Sequence, residues 1–576
     1  MRILLLTHAF NSLCQRLAAQ LQQHGHETSI EFDIADSVTE EAVALFRPEL
    51  IVAPYLRRAI PESIWSHHVC LIVHPGIVGD RGPSALDWAI QDGEAQWGVT
   101  VLQAEGEMDA GPVWASAVFP LRAAKKSSVY RQEVTQAASQ AVLLAVERFS
   151  SGRYLPRPLA DMADARGRLR PLMKQTDRGL DWARDDTATV LRKMNAADGF
   201  PGLGDTLFGQ PCQLFDAWPE AILRGVPGEV IARREGALLR ATRDGAVWIG
   251  HVKRPDGIKL PAAMAFAQEA AALPEAPLDG WWRADVATWQ DIAYEECDGV
   301  GYLHFEFYNG AMSTAQCQRL RTALVWAKQR SIQVLVLMGG RDFWSNGIHL
   351  NVIEAASLDG TSAADESWVN INAMNDLALE LIHSPKQLTV AALCGNAGAG
   401  GCFLARAADQ VWLRDSVLLN PHYKTMGNLY GSEYWTYSLP RRVGEDAARA
   451  IMRERLPMTA QGALASGFSD AILGGEVDSF RTLVAQRASA LAASAELGAM
   501  LGAKREVRAR DEALKPLAAY REEELTQMRS NFYGFDPSYH IARHHFVRKS
   551  LASWTPRHLA RHREPGWLVP PLGEAS

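Results

Sequence analysis

Apolar strands alternate with amphipathic helices over the first 120 residues, which points to a doubly wound parallel sheet. A cluster of short strands near residue 230 and a fresh strand–helix start near residue 290 add two more units. The chain therefore reads as an α/β multidomain protein, and its 576 residues exceed what one hydrophobic core holds.

Each element follows from its local pattern. RILLLTHA reads as the first strand and NSLCQRLAAQLQQHG as a helix ending at Gly25. HETSIEF is a second strand, TEEAVALFR a helix, PELIVAPY a third strand and VCLIVHPG a fourth. In such sheets functional residues gather at the carboxyl ends of strands, and Tyr55 and His74 stand at such ends. A helix is expected from about 127 to 150. PRPLADMADARGRLRPLMKQTDRGLDW is Arg/Pro-rich and polar and reads as a linker. Residues 187–257 read as a small helix-plus-barrel unit, because GEVIARREGALLRATRDGAVWIGHVKR holds three short strands separated by Gly-containing turns. AAMAFAQEAAALPEAP marks a second linker. YEECDGVGYLHFEFYN then reads as a hairpin-like strand pair, STAQCQRLRTALVWAKQR as a helix and IQVLVLMGG as a buried strand. LTVAALCGNAGAGGCFLARAADQVWL reads as strand, glycine loop, helix, strand, and the last 60 residues as helical and rich in Arg and His. The expected division is 1–165, a small barrel domain at 166–262, a linker at 263–289, a third domain at 290–500 and a helical segment at 501–576.

Composition excludes several classes. Net charge is −7, so no nucleic-acid footprint is visible. No run of about 18 apolar residues is present to span a membrane. MRILLLTHAF is too short in its apolar core for a signal peptide. The seven cysteines are scattered without a CxxC pair, which fits a reducing cytoplasm and argues against a zinc site or disulfide scaffold.

The first cluster of chemistry-bearing residues runs from His74-Pro75-Gly76 through Arg81-Gly82-Pro83 and Gly98-Val99-Thr100 to Asp109-Ala110-Gly111. In order and spacing it resembles the formyltetrahydrofolate-dependent formyltransferase family, whose pattern is Asn-x-His-Pro-Ser, Arg-Gly, Gly-Val-Thr and Asp-x-Gly. The likeness covers about residues 1–165, and the strands at 225–257 are similar to the small C-terminal barrel of methionyl-tRNA formyltransferases. A formyl group leaving N10 of the folate passes through a tetrahedral oxyanion. An imidazole at a strand end can donate to that oxygen or shuttle a proton. The resemblance gives this role to His74, with Asp109 orienting the ring, and lays the folate against the loop from Pro54 to Pro61. The family's Asn falls at Ile72, so one amide donor is missing, which can cost about 2.7–4 kcal/mol in a transferase. That leaves a slow enzyme, one with a substitute donor, or a binding domain.

The second cluster is GGRDFWSNGIHLNVIE at 339–354 with CGNAGAGGCFLARAADQVW at 394–412. Two glycine motifs at this interval resemble the crotonase (enoyl-CoA hydratase/isomerase) superfamily, over about 290–500. Their purpose there is a pair of backbone N–H groups converging on a thioester carbonyl, with glycine allowing the close approach. By position the donors are Gly347 and Gly400. The two hydratase glutamates fall at Phe403 and His422, so hydration of an enoyl thioester is not expected. NPHYKTMGNLYGSEYW supplies Tyr423, Tyr430 and Glu433 instead, and Tyr423 and Glu433 are the proton-transfer candidates.

Coenzyme A carries phosphates that need cationic forks. Lys125, Lys126, Arg131, Arg192, Lys193, Arg543 and Arg548 are the candidates, Arg131 and Arg543 foremost. The expected binding set for coenzyme A and tetrahydrofolate is Tyr55, Pro61, Arg131, Arg192, Ser345 and Arg543. His540 and His544 share a helical face, but no glutamate pairs with them as in HExxH, and no metal is expected. Both halves in this order resemble [NiFe]-hydrogenase maturation proteins. That resemblance implies carbon monoxide made from the formyl group of N10-formyltetrahydrofolate by way of formyl-CoA, with small-molecule substrates and with maturation proteins or the hydrogenase large subunit as partners. A formyl donor or hydrolase that does not use coenzyme A, and a non-catalytic scaffold, are the alternatives.

Overall fold

Strands whose every residue is apolar must be covered on both faces, and Ile3–Leu6 and Leu50–Ala53 are buried throughout. In the computed structural model, which describes residues 1–163 and 165–571, they lie at the centre of a six-stranded sheet. Its strands are β1 (Arg2–Thr7), β2 (Glu27–Phe32), β3 (Leu50–Tyr55), β4 (Cys70–His74), β5 (Gln96–Gln103) and β6 (Val113–Pro120), in the order β2-β1-β3-β4-β5-β6. β1 to β4 are parallel, as expected. β5 and β6 run antiparallel, with His74 opposite Thr100. The turn after β4 therefore packs against a strand running back past it.

The chain divides into two units: Met1–Pro255 with Pro261–Pro274 and the residues from Leu551 on, and Asp256–Leu260 with Glu275–Ser550. The first unit also holds a second sheet. The three strands read from sequence are present as Val230–Arg234, Ala237–Ala241 and Ala246–Lys253. Leu203–Leu207 and Gln210–Glu220 belong to the same sheet; Pro211, Pro219 and Gly209 hide their alternation in the sequence. The Ala-rich stretch read as a linker begins with two short helices, Ala262–Ala265 and Ala267–Ala271. Ala262, Phe266 and Ala270 recur every four residues and fill the barrel core beside Trp182.

In the second unit the hairpin Ile292–Cys297/Val300–Phe305 opens a sheet that continues in parallel through Val334–Gly339, Leu388–Leu393, Gln410–Leu413 and Ala471–Ile472. A smaller sheet takes Phe343–Ser345, Asn396–Gly398, Leu418–Asn420 and Met458–Thr459. The chain thus alternates between two sheets, and the helix Gly400–Arg406 starts directly after the second strand of the small one. All seven cysteines are free. Among the described residues no helix is long and apolar enough to cross a membrane.

The C-terminal stretch is helical only in part. Leu517–Tyr533 and Ser538–Arg548 are helices, but from Leu551 to Pro571 the chain is a strap without α-helix or strand, turning at 557–559 and again at Arg561–Arg563. It covers the outer edge of β2, where Ile30 donates to Leu559 O (3.0 Å) and Phe32 N–H to Thr555 Oγ1 (2.8 Å). An unpaired edge is thereby closed. Glu31 points into the seam and accepts from Thr555, from His562 Nε2 (2.9 Å) and from Arg563 Nε (2.6 Å), while Ser29 Oγ meets His562 Nδ1 at 2.7 Å.

Burial pushes the Glu31 carboxyl up, but the three hydrogen bonds outweigh it and hold the group below its ordinary 4.5. A depressed folded value stabilises the fold above 4.5 and fades as pH falls through it. Glu31→Ala is expected to cost the first unit about 3–5 kcal/mol, the penalty for opening a buried pair. Urea unfolding at pH 7 and pH 4 checks this: the gap between wild type and variant should narrow in acid.

Candidate active sites

In the first unit the HPG turn is pinned from behind. Trp97 Nε1–H donates to Pro75 O (2.8 Å) and Thr100 Oγ1–H to Gly76 O (2.8 Å). His74, 4% exposed, ends β4 between two carboxylates. Its Nε2 hydrogen-bonds Asp80 Oδ1 at 3.0 Å, and its Nδ1 lies 3.4 Å from Asp109 Oδ2. Asp109 has a left-handed backbone (φ 54°) and its Oδ2 accepts the Gly82 N–H at 3.1 Å. The sequence reading paired His74 with Asp109; the hydrogen-bonded partner is Asp80. Ile72 packs into the apolar core of the sheet.

Beside this pair, the loop from Pro54 to Pro61 is held by Asp33, whose Oδ2 accepts the N–H groups of Arg57 (2.9 Å) and Arg58 (3.3 Å). Tyr55 OH takes a hydrogen bond from Arg57 Nε (3.2 Å) and its ring stands edge-on to His8. Pro61 caps the short helix Glu62–Trp65. The tetrahydrofolate reading thus has a preformed loop to use.

In the second unit Gly400 is the first residue of its helix, so its N–H has no acceptor within the helix. A Cβ on Gly400 would come within 2.4 Å of Glu433 Oε1, so the carboxyl lies against Gly400. Tyr423 OH donates to Glu433 Oε2 at 2.6 Å. The other oxygen, Oε1, is buried and accepts no hydrogen bond among the described residues. Burial pushes the Glu433 carboxyl from 4.5 to about 7, and burial beside Glu433 pushes the Tyr423 phenol well above 10.

Glu433 and Tyr434 are consecutive left-handed residues (φ 61° and 59°), a conformation that costs a non-glycine roughly 1–2 kcal/mol each. Their amides are held by acceptors the sequence reading missed. Glu433 N–H donates to Asn375 Oδ1 (2.8 Å), Tyr434 N–H to Glu524 Oε2 (3.0 Å) and Thr436 N–H to Glu524 Oε1 (2.9 Å). Glu524, itself buried, is pushed to about 8 by that burial. Phe403 is fully buried and stacks on Tyr423 (5.7 Å, 13°), so a hydratase glutamate position has become an apolar wall. His422 is also buried, and Tyr430 packs on Trp435.

Gly347 requires a correction. Its N–H donates to Ser345 Oγ at 3.1 Å, so it is spent inside its own turn rather than offered to a substrate carbonyl. Ser345 is fully buried, with its hydroxyl also at 3.1 Å from Met312 Sδ, so it packs the glycine turn. One residue's offset along a tight turn redirects an amide, and the motif alone does not fix that offset.

The expected cations are mostly engaged. Lys125 pairs with Asp216 (2.5 Å) and Lys126 with Asp87 (2.8 Å). Lys193 pairs with Asp185 (2.9 Å) and Arg543 with buried Glu354 (2.9 Å). Arg548 donates to Asp256 O (3.2 Å). Arg131 is half-buried in a widened helical turn at Tyr130–Val134, and Arg192 is exposed. His540 accepts from Arg543 and His544 pairs with Glu354. No group of three or more metal-ligating side chains occurs among the described residues.

The architecture around these two sites is that of formyltransferase-like domains joined to a crotonase-like domain. The formyl transferase family model matches residues 11–146, its C-terminal domain 172–269, and the enoyl-CoA hydratase/isomerase model 299–555. Hydrogenase maturation factor HoxX of Bradyrhizobium diazoefficiens is 55% identical over 98% of this chain and 97% of its own. HypX from Aquifex aeolicus, solved in complex with tetrahydrofolic acid, is 46% identical, superposes with a TM-score of 0.95 and covers 98% of this chain and 99% of its own. The methionyl-tRNA formyltransferase of Roseiflexus castenholzii is 29% identical over 40% of this chain and 74% of its own. The chain belongs to the HoxX/HypX family of hydrogenase maturation factors.

A carboxyl raised from 4.5 to about 7 binds its proton more tightly in the folded state, so its contribution to stability is full below 4.5 and is lost as pH rises through 7. Glu433→Gln removes up to roughly 3 kcal/mol of that loss. Urea unfolding at pH 5.5 and pH 8 should show the variant's midpoint falling less than the wild type's, whatever happens to activity.

Proposed function

We propose that this protein makes carbon monoxide from the formyl group of N10-formyltetrahydrofolate, by way of formyl-CoA, for the iron of a [NiFe]-hydrogenase active site. The observation that carries the reading is the Tyr423–Glu433 pair, with Oε1 against Gly400 and accepting no hydrogen bond among the described residues. The tetrahydrofolic acid bound by HypX from Aquifex aeolicus supports folate as the substrate of the first unit.

In the first step the imidazole of His74 handles the proton and the oxyanion as the formyl carbon moves from N10 to sulfur. Coenzyme A supplies the thiol that accepts the formyl group. Within the first unit, Arg131 and Arg192 are the proposed phosphate ligands; within the second, Arg543 is the candidate, and it would have to share its guanidinium with Glu354.

In the second step the Gly400 N–H polarises the thioester carbonyl. Glu433, poised near neutrality, takes the formyl proton, the C–S bond breaks, and carbon monoxide leaves. The Tyr423–Glu433 pair returns a proton to the departing thiolate, so the two steps together convert formyltetrahydrofolate to tetrahydrofolate and carbon monoxide. Phe403 against Tyr423 keeps water from competing for the formyl carbon.

The cations already paired with carboxylates favour one other reading, a formyl donor that does not use coenzyme A. Anaerobic incubation with formyl-labelled N10-formyltetrahydrofolate and coenzyme A, with gas trapped on reduced haemoglobin, separates them. Labelled carbon monoxide is expected, lost in His74→Ala. Gly400→Val should drive its side chain into Glu433, leaving folate turnover intact while gas release stops. Label in formate or on protein, with no gas, would replace this reading by the formyl-donor or hydrolase one.

A further inference from the structure

Behind His74 stands a group that no motif marked. Asp80, 2% exposed, offers Oδ1 to His74 Nε2 at 3.0 Å. An ionised carboxylate only accepts, so this contact requires a hydrogen on Nε2. It leaves Nδ1, which faces Asp109 at 3.4 Å, as the ring atom open to a substrate.

The second oxygen of Asp80 lies 3.4 Å from Arg170 Nε. Arg170 is itself buried, with NH1 on Asp92 (2.6 Å), NH2 3.5 Å from Glu94, and its guanidinium 5.6 Å from the Trp97 ring. Trp97 in turn holds Pro75.

Arg170 comes from the polar stretch read as a linker, and its backbone explains how it gets there. Arg170 N–H donates to Arg81 O (2.9 Å) and Arg81 N–H to Arg168 O (3.2 Å). Gly82 makes this fit possible: its φ is 113°, and a Cβ there would lie 2.2 Å from Arg170 O. Gly76 sits in the same seam. A Cβ on it would meet His74 Nε2 at 2.4 Å and Asp80 Oδ1 at 2.7 Å, so the His74–Asp80 contact exists only because residue 76 has no side chain.

We propose that Asp80, backed by Arg170, is a positioning residue that fixes the tautomer and orientation of His74, so that Nδ1 rather than Nε2 works on the formyl group. This rests on the folate reading of the first unit. It assigns the orienting role to a residue 29 positions from Asp109 in sequence, and leaves Asp109 on the substrate side of the ring.

The test uses the full-length protein labelled with ¹⁵N-histidine, with the His74 signal identified by its loss in His74→Gln. Ring ¹⁵N shifts are expected to show Nε2 protonated in the wild type, and the proton moved to Nδ1 in Asp80→Asn. Consumption of N10-formyltetrahydrofolate should fall at least about a hundredfold in kcat for Asp80→Asn, with KM changed less than about threefold, the behaviour of a mis-set tautomer. Arg170→Met should shift the ring signal in the same direction and Arg170→Lys should restore it. Gly76→Ser, which wedges the pair apart without touching either charge, should reproduce the kcat loss even where Asp80→Asn folds poorly. A wild-type ring protonated on Nδ1 alone, or kcat within twofold of wild type in both Asp80→Asn and Gly76→Ser, would overturn the proposal. Wild-type protein that consumes no formyltetrahydrofolate would overturn the folate reading instead, and the ring shifts would still decide whether Asp80 sets the tautomer.

Discussion

The number of donors given to each buried carboxylate is the constraint on which both candidate sites depend. A carboxylate taken out of water must be paired, bonded or protonated. Glu31 receives three donors from the C-terminal strap and stays ionised, so it acts as a rivet between the first and last parts of the chain. Asp80 receives an imidazole on one oxygen and has the Arg170 guanidinium 3.4 Å from the other. Glu433 receives one phenol, and its other oxygen accepts no hydrogen bond among the described residues, so its burial is only half offset and its pKa is raised to about 7. The same cost of desolvation that makes one group structural makes the other reactive.

Holding Glu433 in that condition requires a strained backbone, and the strain is met from a distance. Two successive left-handed residues turn the carboxyl toward Gly400, and their amides are caught by Asn375 and by Glu524, which comes from the helix Leu517–Tyr533. A helix that looks merely charged in sequence is therefore part of the backing of the second site. The charge of Glu433 in turn helps burial push the Glu524 carboxyl up.

Most of the architecture could be read from periodicity, because buried strands announce themselves by unbroken apolar runs and glycine loops by their spacing. His74, Asp109 and Gly400 were named by position within motifs, Tyr423 and Glu433 from the polar stretch that stands where the hydratase glutamates are missing, and the geometry gathers them into two clusters. What escaped was whatever depends on a partner remote in sequence. Arg170 and Glu524 look like solvated charges until the segment carrying each is seen packed. Lys125, Lys126, Lys193 and Arg543 looked available until their carboxylates were seen. The amide of Gly347 escaped for the opposite reason: its partner, Ser345, is so close that a one-residue offset decides where the N–H points.

Three of the replacements that make the sites unlike their resemblances, Ile72, Phe403 and Gly76, have a common physical sense. Ile72 removes an amide from the folate side and joins the apolar core. Phe403 removes a carboxylate from the thioester side and covers Tyr423. Both changes dry a site and withdraw a group that could activate water. Gly76 does the converse, since the missing side chain lets Asp80 reach the imidazole. A site built to hydrate or hydrolyse needs polar groups aimed at water. A site built to pass a one-carbon unit without losing it to water needs few polar groups, each tightly held from behind. The arrangement of His74 with Asp80, and of Glu433 with Tyr423, follows that second pattern.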